Sequence, residues 1–231
     1  MGSIQNVGNS DGRIVNLAAS HFGGPPADPV AELLEKVASL EKRVKLAAAF
    51  PGNWHYYENP HRLELANDYR ALYRLTGTRG YLERAKEHLL IALNNKEIMG
   101  GEQEHARPYV REYFPLQLCL AQVNVQLDPE RAVSGCDLAL AKLEDQLFVY
   151  LHDGIIWTDK EFYRQQVLFT KAEALVALEQ EEAAEPLALA VLGWATRELG
   201  APLLLRGYAG NVQALKGAAE RLVAQINAGV N

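Results

Sequence analysis

From residue 28 to residue 228 the apolar residues recur at spacings of three and four, and this period constrains the chain more than any other feature. Such spacing lines apolar side chains along one stripe of a helix, whereas a half-buried strand needs strict alternation. Val30, Leu33, Val37, Leu40, Val44 and Ala47 form the first stripe. Asp28 is placed to cap that helix, with Pro29 in its first position, Glu32 and Glu35 near its positive end and Lys42, Arg43 and Lys45 near its negative end. Phe50-Pro51-Gly52 stops it. With Val at one core position and Leu at the other, the stripe is also a heptad seam, flanked by Lys36 and Glu41 and widened by Leu34. Two outcomes stay open: docking of this helix on its own chain, or a homodimer through residues 28–47 with Val30, Leu33, Val37, Leu40 and Val44 as the contact.

Further along, the stripes come in pairs. Leu65, Tyr69, Leu72 and Tyr73 are followed by a Thr76-Gly77-Thr78-Arg79-Gly80 break and then by Leu82, Ala85, Leu89, Ala92 and Leu93. Tyr113, Leu116, Leu120, Val123 and Leu127 lead through Asp128-Pro129 to Ala132, Cys136, Ala139, Leu140 and Leu143. A third pair opens at Thr158 and Glu161, spaced as a capping box with Trp157 and Phe162 as its staple, and runs through Leu168, Ala172 and Leu175. Its partner follows the polar stretch 179–182 and carries Ala184, Ala188, Val191 and Trp194, ending at Gly200-Ala201-Pro202. The last stripe, Val212, Leu215, Ala219, Leu222 and Ile226, has a polar outer face of Gln213, Lys216, Glu220, Arg221 and Gln225, as a capping helix requires.

The second stripes of the first two pairs coincide: Ala85, Leu89, Ala92, Leu93 matches Ala132, Cys136, Ala139, Leu140. In the third pair both the Ala183 and the Ala184 registers are open. The stretch Leu82-Glu83-Arg84-Ala85-Lys86-Glu87-His88-Leu89-Leu90-Ile91-Ala92-Leu93 resembles the second helix of a tetratricopeptide (TPR) repeat, and Tyr73 falls where the first helix of that family carries an aromatic. The units here are longer than the standard repeat of about 34 residues, the excess lying in longer helices and in loops expected at Asn94 to Pro108 and Leu151 to Asp159. The Leu-Gly pair usual in the family's first helix is absent. The resemblance implies an all-α, TPR-like array of antiparallel helix pairs that binds a protein or peptide in a groove lined by first helices. That face would offer Asn67, Asp68, Arg74, Gln117, Asn124 and Glu173, a set that departs from the family's carboxylate clamp. Asn67, Arg74, Gln117 and Asn124 are the expected partner-binding residues.

The organisation read from the sequence is thus a flexible or β-arch segment (1–27), an amphipathic heptad helix (28–50), TPR-like repeats (51–200) and a capping helix (201–231). The β-arch rests on the Asn/Ser/Asp/Gly turn between Val7 and Ile14-Val15.

Charge and cysteine usage narrow the function classes. Lys and Arg number 23 against 29 Asp and Glu, so a broad nucleic-acid footprint is not expected. Two cysteines, no secretory signal pattern and no apolar run of membrane-spanning length imply a cytoplasmic protein that does not enter a membrane. The six histidines are scattered and no His-Glu-x-x-His or Cys-x-x-Cys occurs, so neither metal nor cofactor is expected. The densest chemical cluster is Asn53 to His61, with two His, two Tyr and Glu58. Read as chemistry it is an acid/base loop of an enzyme; read as structure it is an aromatic plug before a helix opened by Pro60. The leading expectation is a non-enzymatic interaction scaffold using the groove or the long loops. The alternative is a signalling or assembly adaptor that oligomerises through residues 1–47.

Overall fold

A computed structural model describes residues 28–49, 55–102, 107–144, 157–201 and 206–229. The segment 1–27, with its β-arch, lies outside the described residues, as do Asn53 and Trp54. Of the described residues 94% are helical and none is in a strand. The helices are α1 (Pro29–Ala49), α2 (His55–Thr76), α3 (Gly80–Glu102), α4 (Arg107–Leu127), α5 (Pro129–Glu144), α6 (Trp157–Ala177), α7 (Glu181–Leu199) and α8 (Arg206–Gly229).

Local chemistry sets several of the ends. The Asp28 carboxylate accepts from the Val30 backbone N–H at 3.0 Å, with Pro29 behind it. Asp128 does the same for Arg131 at 3.2 Å, ahead of Pro129. Gly77 closes α2 in the left-handed region at φ 69°, its N–H reaching Tyr73 O at 2.7 Å. The α6 terminus has the same logic with the wrong residue: Glu179 occupies φ 57°. The Gln180 N–H bonds to Leu175 O at 2.9 Å, and the Glu179 N–H to Val176 O at 3.0 Å. These are the paired bonds of a Schellman turn, in which a side chain at the left-handed position is strained.

Three expectations about boundaries are corrected. The cluster before Pro60 is helix: α2 starts at His55 and takes Pro60 into its second turn. The loop expected at Asn94 to Pro108 is mostly helix as well, because α3 runs through Gly100 and Gly101 to Glu102 and α4 resumes at Arg107. The stretch Lys96 to Met99 is made of good helix formers, and extending an existing helix costs far less than starting one. Helix α6 begins at Trp157, so Thr158 lies inside its first turn rather than at the cap.

Neighbours in sequence pack as neighbours in space, from α1 on α2 through to α7 on α8. Beyond these pairs, α2 touches α4, α4 touches α6 and α6 touches α8, whereas among the described residues α1, α3, α5 and α7 do not touch one another. Two layers result, and the one whose members meet is the shorter side of the curve. The array is therefore concave along α2, α4, α6 and α8.

The outer-layer helices α3, α5 and α7 insert matching small faces into the core. Ala85, Leu89 and Ala92, then Ala132, Cys136 and Ala139, then Ala184, Ala188 and Val191 are all fully buried. Ala183 and Ala190 are exposed, so the third unit takes the Ala184 register, and Val191 stands where the other two units have Ala. The helix read as a cap, α8, occupies an inner-layer position: Val212, Leu215, Ala219, Leu222 and Ile226 are buried, with Gln213, Glu220 and Gln225 outward.

Helix α1 docks on its own chain. Val37, Leu40 and Val44 are buried in one core with Leu65, Tyr69 and Leu72 of α2, and Val30 and Leu33 pack against its edge. Polar contacts align it: Lys36 Nζ reaches Asp68 Oδ1 at 3.0 Å and Glu64 Oε1 at 3.1 Å, and the Tyr69 hydroxyl donates to Glu41 Oε1 at 2.5 Å. The seam residues expected at a dimer contact are covered by α2.

Candidate functional site: the concave groove

The inner layer leaves an open groove of about 610 Å³. Helix α2 contributes Arg70, Tyr73 and Arg74, and α4 contributes Gln122, Val125 and Gln126. Phe169 and Glu173 come from α6, and Arg221 from α8, where Ala214 and Ala218 keep the wall low. Each set follows three-and-four spacing, so it is the one stripe of its helix that faces the hollow.

The groove is polar in a particular way. Arg70 Nη1 donates to Asn67 Oδ1 at 3.1 Å and to Cys119 Sγ at 3.6 Å, both uncharged acceptors. The Tyr73 hydroxyl reaches Gln126 Oε1 at 3.4 Å, tying α2 to α4 across the wall. Burial pushes the Glu173 carboxyl up to about 7, with Arg70 and Arg74 pulling the other way. Burial, with Arg70 beside it, lowers the Arg74 guanidinium from its ordinary value, with Glu173 opposing. No ion pair within 4.0 Å joins Glu173 to either arginine among the described residues.

The expected partner-binding residues divide. Arg74 is in the wall, and Asn67 lies about two turns before it on the same stripe, beside Arg70. Gln117 and Asn124 do not face the hollow. At about 100° per residue they lie roughly half a turn of α4 away from Gln122 and Gln126. They are 8% and 5% exposed, and Gln117 Oε1 and Asn124 Oδ1 find no hydrogen-bond partner among the described residues. The reason is that α4 carries two apolar faces. Leu116, Cys119 and Val123 join the core with α2 and α3, while Phe114, Leu118 and Ala121 join a second core with Cys136 and Val167. Two polar strips remain between those faces, and the sequence cannot say which is roofed by the outer layer. Asp68, half a turn from the groove, is engaged by Lys36 instead.

The same division separates the cysteines. Cys119 and Cys136 are both buried and free, in different cores on opposite faces of α4. Burial holds both thiols above their usual range, Cys136 up to about 12, so neither is a ready nucleophile.

The cluster at 53–61 resolves differently. Glu58 is 3% exposed and bonded by Arg62, whose Nε and Nη2 both lie 2.6 Å from its Oε1. Arg62 Nη1 also sits 3.0 Å from His88 Nδ1, and the His88 ring stacks on Tyr69 at 5.8 Å. Glu58 is thus sealed in a network joining α2 and α3. The side chains of His55, Tyr56 and Tyr57 lie outside the described residues. Among the described residues no three His, Cys, Asp or Glu come together as metal ligands. No helix there is long and apolar enough to cross a membrane.

Fold and site together define the class: an all-α array of antiparallel helix pairs with a polar, arginine-bearing groove along its concave side. Comparison with known proteins finds no family model, no curated protein and no solved structure that matches the chain.

Proposed function

We propose that this chain is a non-enzymatic, cytoplasmic interaction protein, a divergent relative of TPR arrays, that holds a segment of a partner protein along α2, α4, α6 and α8. The single observation behind this reading is the groove itself. It crosses all four inner helices, and its Gln122 and Gln126 amides can each donate to and accept from a peptide backbone. Aromatic Tyr73 and Phe169 supply rigid contact area at low entropic cost. The long loops are a weaker candidate, since the first of them is largely taken up by α3 and α4.

The adaptor reading, with oligomerisation through residues 1–47, has less support. A dimer through Val37, Leu40 and Val44 requires α1 to leave α2, uncovering Tyr69 and breaking its bond to Glu41. The two readings separate in a photo-crosslinking experiment on the full chain. A photoreactive amino acid at Gln126 is expected to capture the partner, whereas the same group at Leu138, 49% exposed on the outer layer, is not. Capture from position 138 alone refutes the groove reading. Self-capture of the chain from a third position, Leu46, 63% exposed on α1, supports the adaptor.

A further inference from the structure

We propose that the groove selects an acidic peptide segment, one carboxylate seating among Arg70, Arg74 and Arg221 and a neighbouring apolar side chain lying on Phe169 and Val125. This inference rests on the groove reading above and names the chemistry of its occupant.

Charge carries the argument. The chain as a whole is at −6, yet its groove wall holds three arginines against one carboxylate, Glu173. Elsewhere, apart from the exposed Arg43 and Arg197, the described arginines are matched by the chain's own acids: Arg62 holds Glu58, Arg79 meets Glu83, Arg84 meets Glu41, Arg131 meets Asp128 and Arg164 holds Glu144. In the groove they are not. Arg70 bonds only the neutral Asn67 and Cys119, and neither Arg74 nor Arg221 has an ion pair among the described residues. Guanidinium groups converging from α2 and α8 on one hollow offer a carboxylate a planar, bidentate partner that they lack within the fold. A basic hollow in a chain of net negative charge also steers an acidic segment inward. Val125 and Phe169, with Leu82 of α3 and the small Ala214 and Ala218, supply the apolar part of the wall, so the segment is mixed rather than a pure acidic run.

Glu173 makes the selection depend on protons. Among the described residues it is the only carboxylate on the wall, and burial already favours its neutral form. The other groups lining the hollow with it are Arg70, Tyr73 and Arg74 from α2 and Arg221 from α8, with neutral Gln122 and Gln126 from α4, and the buried Cys136 thiol of α5 lies close enough behind to feel its charge. A second carboxylate brought beside Glu173 repels its charge, so binding draws a proton onto Glu173. Affinity for the acidic segment is then higher at pH 6 than at pH 8. Free phosphate has no apolar group to lay on Phe169 and Val125, which favours a peptide carboxylate with an apolar neighbour as the occupant.

The test selects random phage-displayed peptides on the full chain at pH 6.5 and low salt, then measures one selected peptide by fluorescence anisotropy from pH 6 to pH 8. Expected are sequences enriched in Asp or Glu next to an apolar residue, with millimolar inorganic phosphate failing to compete. Arg74→Ala combined with Arg221→Ala should weaken the selected peptide about tenfold or more, as truncation of charged anchors does. Glu173→Gln should bind it more tightly than the parent at pH 8 and remove the pH dependence. Neutral or basic peptides that depend on Phe169 overturn the charge selection and leave the groove reading standing. Peptides indifferent to every groove substitution, or no enrichment at all, overturn both.

Discussion

Replacing Glu173 by Gln isolates a partly buried charge on the groove wall. The carboxyl moves from 4.5 to about 7 on folding, with burial as the chief cause and Arg70 and Arg74 opposing. That rise favours the neutral form by about 3 kcal/mol at about 1.4 kcal/mol per tenfold. Water reaching the open groove lowers the expected effect to about 2 to 3 kcal/mol. A raised folded-state value means that the stability contribution is complete below pH 4.5 and is lost as pH rises toward 7. The parent is therefore expected to lose about 2 to 3 kcal/mol relative to the Gln variant between those limits. Urea unfolding of both proteins at matched pH from 4 to 8 reads the difference, and other titrating groups cancel because they are common to both. Equal stability at pH 8, or a difference that does not change with pH, would refute the argument that the groove wall desolvates this carboxylate.

Other outcomes follow from the packing and the turns. Leu40→Ala, at a position 3% exposed between α1 and α2, should cost about 2 to 5 kcal/mol by urea unfolding, with molecular mass by light scattering unchanged. A shift in mass instead would put the seam between chains. Glu179→Gly should stabilise by about 1 kcal/mol, since only glycine occupies φ 57° without strain, and an unchanged melting temperature would count against the turn. His88 is held below 6.5 by burial and by Arg62, so it contributes stability above that pH that is lost on acidification. His88→Gln should flatten that acid-side loss in a thermal scan series from pH 7 downward, and an unaltered slope would exclude it as the cause.

How much of this was legible beforehand differs from element to element. The periodicity sufficed for helices without strands, because the three-and-four spacing is a local property of each stripe. The cap at Asp28 and the helix breaks at Gly77 and Asp128-Pro129 were equally local, each needing only its own neighbours, whereas the cap bond of Asp128 and the left-handed conformation of Gly77 came from the structure. Boundaries were less secure: Pro60 reads as a helix start, yet α2 accommodates it in the second turn.

The groove is where sequence reasoning divided. Asn67 and Arg74 fall on the stripe of α2 that the array leaves open, and Arg70 between them was the missed residue. On α4 the polar strip chosen, Gln117 and Asn124, is the one closed inside the array, while Gln122 and Gln126 line the hollow. The amino-acid sequence determined that α4 is apolar on two faces and polar between them. Only the tertiary structure decided which polar strip meets solvent, because that depends on the side toward which the array curves. The curve comes from inner helices meeting one another while outer helices stay apart. That difference is a property of four helices packed together, and no single stripe encodes it.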